Sequence, residues 1–279
     1  MADRFADKTV VVTGGTSGIG RALCVALAGE GAVVVVAGRN MDRANEIVAE
    51  IANRGGRAQA EQVDVTSEAD VVGLVERMIE THGRLDYMFN NAGVGVLGEA
   101  RDLETEHWRP SIDVNLWGVI HGTSAAYKAM VKQGGGHIIN VSSIQGIVPF
   151  AWSTPYVASK HAVYGYSMAL RAEGADLGVK VSVVCPEGVE SELVANTPMV
   201  NLSRDTVDVI AESFGMMPVE RAVHLILRGV ARNRAVIVFP ANARWLWRFY
   251  RISPPLWIWL GTKILRRFRR RAAELRTKG

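Results

Sequence analysis

The sequence predicts a doubly wound α/β fold, a parallel sheet with helices on both faces. Three observations carry that expectation. Strand-like runs alternate with helical stretches, the runs are nearly continuous Val and Ile, and the first passes into a helix through a glycine-rich turn. A strand that is apolar at every position has both faces buried, which marks a parallel sheet. Right-handed crossovers then place helices on each face, and ligands belong beyond the carboxyl ends of the strands.

The elements follow in order. "KTVVVTGG" (residues 8–15) reads as the first strand, and "GIGRALCVALAGEGA" continues as a helix with small and apolar residues on one face. Strand "VVVVAG" (33–38) precedes a helix from Met41 to about Arg54. Strand "AQAEQVDV" (58–65), a helix from Glu68 to His82 and strand "LDYMFNNAG" (85–93) come next. The later strands are "GHIINVSS" (136–143), "KVSVVCP" (180–186) and "AVIVF" (235–239), again separated by helical stretches. No Pro/Gly/Ser-rich linker interrupts residues 1–240, so they are expected to form one domain, with a substrate loop over 186–217 and a tail over 241–279. Cys24 and Cys185 sit in a helix-like and a strand-like segment and read as small buried hydrophobes, not as a disulfide or metal pair. The six histidines show no metal-ligand spacing, so no metal is expected. The charged start runs straight into a strand, so the expectation is a chain without a secretory leader, not secreted and cytoplasmic.

"TGGTSGIG", Thr13 to Gly20, stands between the first strand and the first helix. Glycine lets the backbone approach a phosphate, and the helix N-terminus offers free N–H groups. Gly14, Gly18 and Gly20, with Thr16, Ser17 and Ile19 between them, are the expected cradle. The spacing is wider than the usual dinucleotide fingerprint. At the end of the second strand, an NAD site usually carries an acid for the ribose 2′-hydroxyl. Here Gly38 is followed by Arg39 and Asn40, so a guanidinium faces a 2′-phosphate and NADP(H) is favoured over NAD(H); a solvated arginine opening a helix is the plainer alternative.

"PYVASK" places Tyr156 four residues ahead of Lys160, on one helical face. Two unit charges about 4 Å apart at an effective dielectric of about 20 interact by roughly 4 kcal/mol. At about 1.4 kcal/mol per pKa unit, the lysine would lower the phenol by roughly three units, into the range useful for proton transfer. The spacing alone is common and decides little.

With the glycine turn, "NNAG" (90–93), Asn115 in "DVNLWG", "NVSS" (140–143) and "YVASK" in order, the sequence resembles the short-chain dehydrogenase/reductase family over about residues 6–240. The resemblance implies a Rossmann-like sheet and hydride transfer between NAD(P)H and a carbonyl or alcohol carbon. It implies that Tyr156 gives or takes the substrate proton, Lys160 lowers its pKa and bonds the nicotinamide ribose, Ser143 steadies the substrate oxygen and Asn115 holds a water in a proton relay. Ser142 would be a structural hydroxyl. Asp64 with Val65, Asn91 to Gly93 (through Ala92) and Val189 are implied cofactor contacts, and Gln145 joins Ser143 and Tyr156 as an expected substrate contact. Dimers or tetramers through the helices carrying Asn115 and Tyr156 are also implied. One motif departs: "PEGVES" has Glu187 where the family commonly has glycine. An unpaired buried glutamate is costly, so this residue keeps open a second expectation, a catalytically idle NADP(H)-sensing or scaffold protein at a membrane.

"GIVPFAW" (146–152) and residues 193–217 are apolar and read either as a lid over a hydrophobic alcohol or carbonyl substrate or as core packing. The tail holds four of the seven tryptophans, nine Arg, two Lys and one Glu, a net charge of +10 against +4 for the whole chain. Its longest uncharged run, Ile252 to Thr262, is too short to span a bilayer. Beyond it Ile264, Leu265, Phe268 and Ala272 recur at helical spacing among arginines, which favours the surface of an anionic membrane, on its inner face, over a neighbouring subunit or nucleic acid.

Overall fold

Seven strands, all paired in parallel, form the central sheet of the computed structural model, which describes residues 4–202 and 215–276. Three lie on one side of the chain's starting point: β1 (Thr9–Thr13), β2 (Val33–Gly38) and β3 (Arg57–Gln62). The chain then returns across β1 to lay down β4 (Tyr87–Asn90), β6 (Gly136–Val141), β7 (Val179–Pro186) and β9 (Val236–Phe239). The order is β3-β2-β1-β4-β6-β7-β9, so direction reverses between β1 and β4 and a crevice opens there. Two short strands, β5 (Leu97–Gly98) and β8 (Met199–Val200), pair with each other apart from the main sheet.

The continuous apolar runs are explained by alternation. Val10 and Val12 of β1 face one cluster and Val11 the other. The first cluster is covered by α1 (Gly18–Gly29), α2 (Met41–Asn53) and α8 (Val219–Ala231), through residues such as Leu23, Ile47 and Ile226. The second is covered by α3 (Glu68–His82), α5 (Gly118–Lys132) and α6 (Thr154–Glu173), through Leu74, Met130 and Leu170. The helix starts are local: the Asn40 side chain accepts from Arg43 N at 3.0 Å to cap α2, and Ser67 accepts from Asp70 N to cap α3.

Several strands are shorter than the sequence predicts, β3 and β4 most clearly. β3 stops at Gln62, and as the edge strand it is charged and half exposed. β4 stops at Asn90, and "NAG" leaves the sheet to enter the crevice. Both cysteines are fully buried and unpaired, in different clusters; burial pushes the Cys24 thiol well up and that of Cys185 up to about 12. The apolar stretch predicted as a lid includes residues 203–214, outside the described residues; its described parts are α7 (Glu192–Ala195) and β8.

The tail forms α9 (Ala241–Ile252) and α10 (Pro254–Arg276). Among the described residues, no helix is long and apolar enough to cross a membrane. α9 packs Leu246, Trp247 and Tyr250 on a third cluster containing Ile144, Ile147 and Val148. That contact absorbs "GIVPFAW" into packing, at least on its inner side. The side chains of Phe268 and Ala272 lie outside the described ones.

Candidate active site

The crevice starts at the glycine turn. Gly14 and Gly18 adopt φ of +62° and +48°, and a Cβ on Gly20 would stand 2.1 Å from the Gly14 carbonyl oxygen. Ser17, the residue before α1, makes no side-chain cap, so this helix end keeps its N–H groups directed at the crevice. Thr16, Ser17 and Gly18 line a cleft with Arg21, Arg43, Glu46, Ile47 and Glu192, while Ile19 packs inward on the first cluster. The sequence reading missed Arg21, Arg43 and Glu192. Arg43 had a signal, since it opens a helix directly after Arg39; Glu192 had none, because only folding brings it to 3.1 Å from Arg43.

Opposite this turn, Asn91 donates to the carbonyls of Thr13 and Gly14 at 3.1 and 3.3 Å. Its own N–H and that of Ala92 go to the Thr13 hydroxyl. Its carboxamide is thus committed to the crevice wall. Gly93 lies where a Cβ would sit 3.3 Å from Asn115 Oδ1 and 3.5 Å from Lys160 Nζ. Arg39 is exposed at the end of β2, and its charge is one of the smaller influences holding Asp64 low, after the bonds from Thr66 N and Oγ1. Val65 is buried against Gly118, and Val189 packs beside Met217 in the first cluster.

Asn115 sits in a π-helical turn, Asp113–Trp117, between α4 (Thr105–Ile112) and α5. It is fully buried, accepts from Val94 N at 2.8 Å and donates to Val94 O at 2.9 Å. It also donates to Ser159 Oγ at 3.3 Å, and Ser159 donates to Tyr156 O at 2.8 Å. The Asn115 side chain therefore braces the loop after β4 against the helix carrying Tyr156.

Alternation separates the two serines as expected. Ser142 Oγ donates to Lys160 O at 2.8 Å, whereas Ser143 Oγ accepts from Gln145 N at 3.1 Å and its hydroxyl acts to lower the pKa of the Tyr156 phenol. The Gln145 side-chain Oε1 in turn accepts from Ser153 Oγ at 2.6 Å. Lys160 is buried, donates to Val141 O at 2.9 Å and stands 5.5 Å from the Tyr156 ring centre.

The electrostatics correct one expectation. Burial outweighs the hydrogen bond from Ser143 and pushes the Tyr156 phenol up to about 12; burial also pulls the Lys160 ammonium down to about 8. Side-chain spacing captures the attraction between the two groups and omits desolvation, which is the larger effect here. Glu187 is also resolved. Its carboxylate accepts from Asn242 Nδ2 at the start of α9 at 3.2 Å, and burial raises its pKa.

A crevice with a phosphate-accepting helix end on one wall and a phenol, ammonium and hydroxyl gathered on the other is the working surface of a nicotinamide-dependent oxidoreductase. The family described as short chain dehydrogenase matches residues 8–200. A cyclohexanol dehydrogenase from Acinetobacter is 36% identical over 196 residues, covering 70% of this chain and 78% of that protein. A 3beta-hydroxysteroid dehydrogenase from Mediterraneibacter gnavus is 39% identical over 191 residues, covering 68% and 69%. Among solved structures, a short chain dehydrogenase/reductase from Burkholderia phymatum in complex with NAD is 26% identical with a TM-score of 0.83, covering 90% of this chain and 95% of that one. One from Sphingobium yanoikuyae in complex with NADPH is 27% identical with a TM-score of 0.74, covering 85% and 91%. The chain belongs to the short-chain dehydrogenase/reductase family, oxidoreductases acting on CH–OH groups with a nicotinamide cofactor.

Two outcomes follow from this geometry. Gly20→Ala drives a methyl into the Gly14 carbonyl, so the variant should lose about 1–3 kcal/mol in denaturant unfolding and bind nicotinamide cofactor weakly. Lys160→Met removes an ammonium whose folded pKa, about 8, lies below the ordinary 10.5. The unfolded chain holds the extra proton between these values, so burial of the charge costs about 3 kcal/mol below pH 8 and progressively less towards pH 10.5. Less about 1 kcal/mol for the lost bond to Val141, the methionine variant should be the more stable at pH 7. Its advantage should vanish as the unfolding series is carried to pH 10.5; an advantage independent of pH would contradict the buried charge.

Proposed function

We propose that the protein interconverts a hydrophobic secondary alcohol or related carbonyl compound and its redox partner with NADP(H), using Ser143, Tyr156, Lys160 and Asn115. The gathering of Ser143, whose hydroxyl acts on the Tyr156 phenol, with buried Lys160 5.5 Å from the Tyr156 ring centre carries this reading. The nicotinamide supplies and accepts the hydride. In reduction, Tyr156 gives its proton to the oxygen as negative charge develops there, while the Ser143 hydroxyl orients that oxygen. In oxidation the proton returns along the same path. Asn115 holds the Val94 loop and the Tyr156 helix in register. A phenol that its surroundings hold protonated is a ready donor for reduction. As an acceptor in oxidation it needs the positive charges of Lys160 and of the bound nicotinamide beside it. The glycine turn and the uncapped α1 end fit a pyrophosphate, and the exposed Arg39 at the end of β2, near enough to Asp64 to act on it, supports a 2′-phosphate.

The substrate class rests on relatives named for alicyclic alcohols. With Glu187 hydrogen-bonded to α9, its departure from the family pattern no longer favours a catalytically idle sensor. Location in the cytoplasm, a tail resting on an anionic membrane surface and a homodimer or homotetramer belong to the same reading. The exposed Trp245, Ile252, Ile258 and Trp259, interleaved with arginines, support the membrane contact.

Purified protein with NADPH should turn over cyclohexanone or a 3-keto steroid, and Tyr156→Phe should lower kcat by about 10²–10⁴ with NADPH affinity retained. A variant that turns over at the wild-type rate would remove Tyr156 from the chemistry. Arg39→Asp should move preference towards NADH, read as the ratio of kcat/KM for the two cofactors; an unchanged ratio assigns the 2′-phosphate elsewhere.

A further inference from the structure

Helix α10 is fastened at two points to the rim of the substrate side. Trp257 Nε1 donates to Pro149 O at 2.8 Å, and its ring meets Phe150 edge-on with centres 5.4 Å apart. Twelve residues later, about 18 Å along the helix, Arg269 grips Glu99 through two parallel bonds, Nε to Oε1 at 2.9 Å and Nη2 to Oε2 at 2.6 Å. Both anchors lead to the catalytic residues. The 149–152 segment runs into the helix bearing Tyr156 and is tied to β5 by Gly98 N to Trp152 O at 2.7 Å. Residues 94–99 run back to Val94, which Asn115 holds.

The helix has two sides. Trp257, Gly261 and Leu265, spaced by four, are half-buried towards the rim. Trp259, Lys263, Arg266 and Arg267 are exposed, and the Lys263 ammonium stacks on the Trp259 ring at 3.7 Å. At 100° per residue, Arg269 lies roughly 120° round from Trp257, on the seam between these sides. A guanidinium there reaches either the Glu99 carboxylate or a layer of phosphates against the outer side, and its planar fork suits both. Glu99 is only 11% exposed, yet Arg101 also contacts it at 3.2 Å, so its charge keeps a partner when Arg269 leaves.

We propose that α10 is a clasp on the substrate rim that an anionic lipid surface releases, the lipid phosphates drawing Arg269 from Glu99 and opening the rim towards the bilayer from which a hydrophobic substrate enters. The trigger rests on the membrane reading of the tail; the clasp itself rests on the two anchors. The tryptophan and arginine pattern, with a tail charge of +10, selects a lipid surface as occupant of the outer side.

The test is hydrogen exchange on the full chain in buffer, with phosphatidylglycerol vesicles and with phosphatidylcholine vesicles. Phosphatidylglycerol should slow exchange over 254–267 and speed it about tenfold over 97–102 and 149–152, with no change from phosphatidylcholine. Glu99→Gln, and separately Arg269→Lys, which keeps the charge and loses the fork, should show the fast rim in buffer alone. Rims as slow as wild type in both variants would overturn the clasp whatever the vesicles do. Vesicle binding with an unchanged wild-type rim overturns release while leaving the membrane reading standing; failure to bind sinks the membrane reading and the trigger together. Equal opening by inorganic phosphate or duplex DNA, or concentration-dependent protection of 254–267 without vesicles, would assign the outer side to another occupant and overturn the lipid surface.

Discussion

The carboxamide of Asn91 donates to the carbonyls of Thr13 and Gly14, and the Thr13 hydroxyl receives the N–H groups of Asn91 and Ala92. These bonds close the ends of β1 and β4 on each other at the point where strand order reverses. The glycine turn can then pass so near Ala92 that a Cβ on Gly14 would lie 2.8 Å from its Cα. Beyond Ala92 the chain reaches Gly93, between Asn115 and Lys160. The glycine turn and the wall carrying Tyr156 and Lys160 are thereby joined through one short segment.

Low dielectric decides the chemistry on the second wall. Lys160 is enclosed, donates to the Val141 carbonyl, and its pKa is lowered by that enclosure. The same enclosure keeps the Tyr156 phenol protonated, against the opposing pull of Ser143. An attraction between the pair strengthens in such surroundings, but each member also loses its hydration, and the second effect is the larger. The pair is better described as a protonated donor beside a soft ammonium than as a tyrosine already lowered to neutrality.

The tail attaches to segments that follow β4, β6 and β7. Glu187 receives Asn242, α9 packs on residues 144–148, and α10 touches Pro149 and Glu99. The glutamate that departs from the family pattern is one of the points at which the tail attaches.

The sequence by itself determined the parallel doubly wound sheet, because runs such as "TVVVT" and "VVVVAG" can be satisfied only by burial on both faces. It also determined the glycine turn and the Tyr156–Lys160 pair, since turn geometry and helical spacing are local rules, while the choice of Ser143 over Ser142 came from the family resemblance. Folding alone decided that Asn115 braces Val94, that Arg43 faces Glu192 and that Arg269 meets Glu99. These contacts join residues from 21 to 170 positions apart, and no periodicity encodes them. Only folding decided the ionisation of the site too, because desolvation depends on everything packed around a group and not on its neighbours in the chain.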